Sequence, residues 1–166
     1  MLPLEGIRVL YFTQLIAGAF STMLLGDLGA DVIKIEPPEG DAMRRTGNTS
    51  VEGLLESEAS LSLSRNKRSV VLDLKSAAGK RAALDLAAQA DIVVENFRPG
   101  TMDKLGLGYD ELSRSNPGLI FCAVAGFRPN SKWVGGIWTT TYWFPVCRYF
   151  LTHACYHRHF GSVASS

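Results

Sequence analysis

No aspartate or glutamate occurs after Glu111. Residues 1–111 hold all 16 acidic residues and 12 of the 17 basic ones, a net charge of −4; residues 112–166 hold five basic residues and no acid, a net of +5. At an ordinary acid frequency of ~12%, a run that long without one arises by chance on the order of once in a thousand. Chemistry that needs a carboxylate is therefore excluded from the last third of the chain. Cysteine is also scarce. Cys122, Cys147 and Cys155 are an odd number without scaffold spacing, which excludes a disulfide framework and points to a reducing, cytoplasmic compartment. No apolar run reaches the ~18 residues that would span a bilayer. The opening MLPLEGIRVLYF has no basic region before an apolar core and no cleavage site, so it reads as a first strand and not as a signal peptide. Neither a membrane nor a nucleic acid is expected as a partner. There is no internal repeat.

Strand and helix patterns alternate over the first three-quarters of the 166 residues. Ile7–Phe12 is short, β-branched and aromatic, as a buried strand should be. Residues 17–29 follow as a helix, with Gly29 as its stop. Asp31–Glu36 reads as a second strand closed by Pro37-Pro38. Residues 38–64, rich in Glu, Ser, Gly and Thr, read as a long surface excursion with room for one helical turn. Then come a strand over Ser69–Lys75, a helix over residues 77–90 and a strand over Asp91–Phe97. In that helix Ala82, Ala83, Leu86, Ala87 and Ala90 form a narrow small-residue stripe suited to packing on a sheet. A short helix capped by Thr101 runs through Lys104, another covers Tyr109–Ser115, and Leu119–Phe127 is the last clear strand. Short links between alternating elements imply an α/β fold: a parallel, Rossmann-like sheet with helices on both faces.

In such a sheet, ligands bind at the carboxyl ends of the strands. Groups suited to a phosphate-bearing coenzyme collect there: Leu72 and Lys75 at one strand end, Asn96 and Phe97 at another, and Lys104 one turn into the next helix. Taken by themselves, Lys75 and Lys104 read more simply as solvated lysines and Phe97 as core. Glu36 sits where a dinucleotide enzyme would place its ribose-binding acid. The glycine fingerprint that should accompany it is missing, because the first strand is followed by TQLIAGAF with the single Gly18. The candidates for a metal site, Cys147, His153, Cys155, His157 and His159, lack the paired spacing of zinc ligands, so no metal is expected. All three histidines lie far from any acid in sequence, which leaves no Ser/His/Asp arrangement.

Four segments, GADVIKIE, NKRSVVLDLK, VENFRPG and LGLGYDEL, occur in this order between Leu4 and Phe127. Together they resemble the N-terminal region of the class III CoA-transferases, which include formyl-CoA and carnitine CoA-transferases and the α-methylacyl-CoA racemases. The resemblance implies coenzyme A bound through Leu72, Lys75, Asn96, Phe97 and Lys104, an interlocked homodimer, and acyl-CoA with a carboxylic acid as substrates. It also implies catalysis by an aspartate that attacks the thioester and passes through an aspartyl-CoA intermediate, or by a histidine at that position in the racemases. Within the matching region Tyr11 replaces a common acid and Ala19-Phe20 a common Gly-Pro. Ile16 and Pro37 fall where some members place polar side chains, so those two contacts are not carried over.

The family continues beyond Gly126-Phe127 with a glycine-rich segment and then the catalytic aspartate. Here residues 128–166 carry nine aromatic residues, all three tryptophans and no acid, without period 2 or 3.6. Residues 1–127 are therefore expected to be the N-terminal part of a CoA-transferase large domain. Residues 128–166 are expected to be an irregular non-family tail, supplied by a changed reading frame or another unrelated segment. No residue here matches the catalytic one. The expected function is that of an inactive CoA-transferase fragment, with a racemase fragment and a non-enzymatic CoA-binding or partner-binding module as alternatives.

Overall fold

The computed structural model describes residues 1–12, 14, 16–46 and 57–124. Among them is one parallel sheet of five strands in the order β3-β2-β1-β4-β5. β1 (Arg8–Phe12) is central, and its Val9, Leu10, Tyr11 and Phe12 are at most 1% exposed. β2 (Asp31–Glu36) and β3 (Lys67–Val71) lie to one side, β4 (Ile92–Glu95) and β5 (Ile120–Ala123) to the other. The chain thus reverses its direction of travel across the sheet between β3 and β4. In an open α/β sheet that reversal opens a crevice at the carboxyl ends of the two strands beside it, here β1 and β4.

Helices cover both faces, as the alternating pattern predicts. α1 (Ala17–Asp27) and α2 (Glu58–Ser64) lie on the face where Val9, Tyr11, Val32 and Val94 cluster with Ala19 and Leu63. α3 (Ala77–Ala87), α4 (Thr101–Leu105) and α5 (Tyr109–Ser115) cover the face of Leu10, Phe12, Ile33, Ile35 and Val93. The alanine stripe behaves as expected: Ala83, Ala87 and Ala90 are at most 2% exposed against that second face. Gly29 stops α1 at φ +102°, with its N–H on the Gly26 carbonyl and the Ala30 N–H on the Leu25 carbonyl. This is the left-handed close that glycine adopts without strain.

Three expectations are corrected. Residues 38–64 hold more helix than one turn: a 3-10 turn over Ala42–Arg45, capped by Asp41, and the two turns of α2. α2 was hard to read because its Ser/Leu alternation mimics a strand. Tertiary contacts secure it, including the Ser57 hydroxyl, which donates to the Met43 carbonyl and accepts the Ser60 N–H. The third strand starts and ends earlier than Ser69–Lys75. The Leu72 N–H still donates to the Glu36 carbonyl at 2.9 Å. Asp73 then turns the chain, its carboxylate accepting the Lys75 N–H and its carbonyl accepting the Ser76 N–H. Leu72 and Leu74 pack on the core from that turn, which explains the apolar run that suggested a longer strand. Ser76 then caps α3 by accepting the Gly79 N–H. Finally, Thr101 is the first helical residue of α4, not its cap. Gly100 at φ +79° holds the cap position and makes no side-chain bond. The boundary expected after Phe127 lies outside the described residues.

Candidate functional site

The crevice at the β1/β4 reversal is closed on one side by a side-chain rung. The Asn96 amide accepts the Gln14 N–H at 2.9 Å and donates to the Gln14 carbonyl at 2.7 Å. It thus continues the β1–β4 ladder past the last strand residues and fixes the spacing of the two loops. One residue earlier, the Glu95 carboxyl accepts the Phe97 N–H at 2.7 Å. This bends the chain back and lays Phe97 against the core cluster shared with Leu72, Leu74 and Leu105.

Beside this turn lies a cleft of about 450 Å³. Phe12, Ile35, Leu72, Leu74, Phe97 and Leu105 give it an apolar wall. Pro37 and Pro38 line it from the end of β2, and Lys75 from the turn before α3. Of the five residues expected to hold a coenzyme, Leu72, Lys75 and Phe97 meet at this cleft. Asn96 and Lys104 each precede a lining residue, Phe97 and Leu105. Lys75 and Lys104 are exposed. Lys75 lies in a turn and not in a strand, four residues beyond the end of β3.

Sequence reasoning missed the charged network behind the cleft. Lys34, Glu36 and Asp41 are buried, and all three line it. Arg44 grips the Glu36 carboxylate with two nitrogens, at 2.8 and 2.6 Å. The Ser69 hydroxyl donates to Glu36 at 2.8 Å and the Asp41 N–H at 3.2 Å. Burial by itself would raise the Glu36 pKa. The bonds from Arg44 and Ser69, the Lys34 charge and the Asp41 N–H outweigh it and bring the pKa down to about 2. Lys34 Nζ lies 2.6 Å from Asp41 Oδ2, a close ion pair whose angle falls outside hydrogen-bond geometry. The signal for this network was present as opposite charges two residues apart in DVIKIE, which places Lys34 and Glu36 on one face of β2.

The same geometry removes the dinucleotide reading. Both Glu36 oxygens already accept protein hydrogen bonds, so the residue has little left to offer a ribose. The candidate metal ligands Cys147, His153, Cys155, His157 and His159 lie outside the described residues.

Two further groups have displaced ionisation. Burial, reinforced by the Lys34 charge, lowers the Lys67 pKa to about 7 against the opposing pull of Asp41. Its ammonium donates to the Ala19 carbonyl at 2.6 Å and lies 4.7 Å from the centre of the Tyr11 ring. Burial raises the Glu95 pKa to about 7, the Phe97 N–H opposes the rise, and the Asp103 charge adds to it.

The cleft thus has an apolar wall with an aromatic ring, and one exposed cation, Lys75, lines it. The model of CoA-transferase family III matches residues 4–136. The beta subunit of succinyl-CoA–L-malate CoA-transferase from Chloroflexus aurantiacus is 50% identical over 127 residues, 76% of this chain and 31% of that protein. Succinyl-CoA:glutarate CoA-transferase from Mus musculus is 44% identical over 128 residues, 76% of this chain and 29% of that protein. The chain thus spans about a third of the length of these curated relatives. A crystal structure of a CAIB/BAIF family protein from Brucella suis superposes with a TM-score of 0.76 at 39% identity, covering 80% of this chain and 36% of that one. A hypothetical protein from Mycobacterium tuberculosis gives 0.72 at 44% identity, covering 79% and 36%. With a family model spanning most of its residues, and with the same sheet in solved structures, the chain belongs to CoA-transferase family III.

Proposed function

We propose that the cleft at the carboxyl ends of β1, β2 and β3, walled by Phe97 beyond β4, binds the coenzyme A part of an acyl-CoA, and that the 166 residues alone bind without transferring it. The observation that carries this is the meeting of Leu72, Lys75 and Phe97 at one cleft, with Asn96 and Lys104 each next in sequence to a lining residue. The ammonium groups of Lys75 and Lys104 attract the phosphates, Leu72 and Phe97 supply apolar and aromatic surface, and Asn96 keeps the loops apart at a fixed width. The relatives' names point to succinyl-CoA as donor and a small dicarboxylic acid as acceptor. In the complete reaction the CoA thiol would pass from the succinyl group to the acceptor carboxyl through an enzyme carboxylate. That carboxylate is what these residues lack, since no acid follows Glu111. The same lack favours a second reading, a CoA-binding module that works with a partner instead of turning over itself. A dimer with a second copy belongs to the proposal on the strength of the family, and a cytoplasmic location on the three cysteines without scaffold spacing.

Calorimetry with free CoA tests the binding claim. Lys75→Ala and Lys104→Ala should each weaken affinity by roughly 3–10-fold, and raising salt should narrow the difference by screening the phosphates. Tight, salt-independent binding untouched by both changes would sink the reading.

A further inference from the structure

Glu95 is the only ionisable residue of β4, and it is 9% exposed. It ends the strand on the side of the sheet where the crevice opens. Its neighbours across the sheet, Phe12 of β1 and Ala123 of β5, carry no charge. The charged group that faces it is Asp103 of α4, another acid. A carboxyl in that setting gains nothing from a counter-charge, yet it has a definite task. At 2.7 Å it accepts the N–H of Phe97, two residues on, and so closes the turn that presents the Phe97 ring to the cleft. Asn96, between them, is tied to Gln14 across the reversal. Phe97 is therefore placed by two hooks, one along its own strand end and one across the crevice.

Either protonation state of Glu95 can accept the Phe97 N–H, because a neutral carboxyl keeps its carbonyl oxygen. The states differ in charge. An ionised Glu95 behind the cleft wall repels a polyphosphate at the rim; a neutral one does not. An anionic ligand then binds the neutral form better, and by reciprocity its binding draws a proton onto Glu95.

We propose that Glu95 is a positioning residue of the cleft: its buried carboxyl holds the Phe97 wall through the backbone N–H, and its charge state sets how strongly the cleft accepts an anionic coenzyme. The proposal rests on the coenzyme reading above.

Two measurements on the full chain test it. The first needs no ligand: the amide nitrogen shift of Phe97 is followed by NMR from pH 6 to 8.5. In the wild type it should titrate with a midpoint near 7, where burial places the Glu95 ionisation, and in Glu95→Gln it should stay flat. The second is CoA affinity by calorimetry over the same range. Wild-type affinity should fall roughly 5-fold more than that of Glu95→Gln, the titration of CoA itself being common to both. At pH 6 Glu95→Gln, which keeps an acceptor oxygen, should bind like the wild type; Glu95→Ala should bind more weakly at every pH. Binding with parallel profiles for the wild type and Glu95→Gln overturns this proposal alone. No CoA binding by a folded wild type overturns the coenzyme reading and this proposal with it. If a variant does not fold, the wild-type Phe97 amide decides: a midpoint near 7 supports the hook, and no midpoint in the range overturns it.

Discussion

Incubated with succinyl-CoA and a free dicarboxylic acid, the purified chain should yield no exchange of CoA above background. Transfer needs a carboxylate that can become an activated acyl group and then carry the coenzyme as a thioester. Hydroxyl, amine or imidazole groups cannot take over that exchange. Glu39 and Asp73 line the cleft as exposed acids, and Asp73 accepts the Lys75 N–H; the three buried acids at or behind it are ill suited to the role. Both oxygens of Glu36 are held by Arg44 and Ser69, and Asp41 is paired with Lys34. Glu95 is turned onto the Phe97 N–H behind the wall. Loss of a covalent nucleophile lowers turnover by ~10⁴-fold or more, so a full-length relative assayed alongside should exceed this chain by at least that factor. Activity that persists through a second purification step, at a rate within 100-fold of the relative, would refute the claim.

The second large effect is on stability. Glu36→Gln should destabilise the sheet by roughly 3–5 kcal/mol at pH 7, because it removes the buried carboxylate that Arg44 grips and leaves Lys34 with Asp41 alone as counter-charge. The effect should depend on pH with a definite sign. The folded-state pKa of Glu36 is depressed to about 2 from the ordinary carboxylate value of 4.5. Its contribution is therefore fully present above pH ~4.5 and is lost as pH falls through the folded value. Glu95 works in the opposite direction. Its pKa is raised to about 7, so its contribution is full below pH ~4.5 and is lost as pH rises through 7. Denaturant unfolding of the wild type and Glu36→Gln at pH 7 and pH 2.5 separates the two. The gap between the proteins should be large at pH 7 and should shrink markedly at pH 2.5. A gap below 1 kcal/mol at pH 7, or one that does not change with pH, would show that the network contributes little.

Elements with a strong local signature were legible in the sequence. β1 reads as a continuous apolar run, and β2 carries the β-branched Val32, Ile33 and Ile35 among its charges. Gly29 marks the end of α1 because only a positive φ closes that helix, and a side chain there would also strike Leu2. The turn before α3 was harder to see. Its Asp73 carbonyl comes so close to Gly79 that an added Cβ would lie 2.1 Å from it. The apolar letters of Leu72 and Leu74 pointed instead to a strand. The sequence allowed only one helical turn where α2 forms, because serine-rich helices owe their stability to what they pack on, and the Met43 carbonyl that holds its Ser57 cap lies 14 residues away. At the site, the resemblance named five residues, and three of them meet at one cleft. It did not show what holds them there. The Asn96–Gln14 rung spans 82 residues of chain, and the grip of Arg44 on Glu36 depends on the 3-10 turn that carries Arg44. Neither leaves a periodic trace in the sequence.

Hydrogen exchange of the full chain with and without CoA locates the ligand without assuming a residue. Saturating CoA should slow exchange in two separate stretches, residues 72–76 and residues 96–104, which only this fold brings to the same end of the sheet. β5 and α5 should be left unchanged. Protection confined to β5 and α5, or absent from both stretches under conditions where calorimetry detects binding, would contradict a coenzyme site at this cleft.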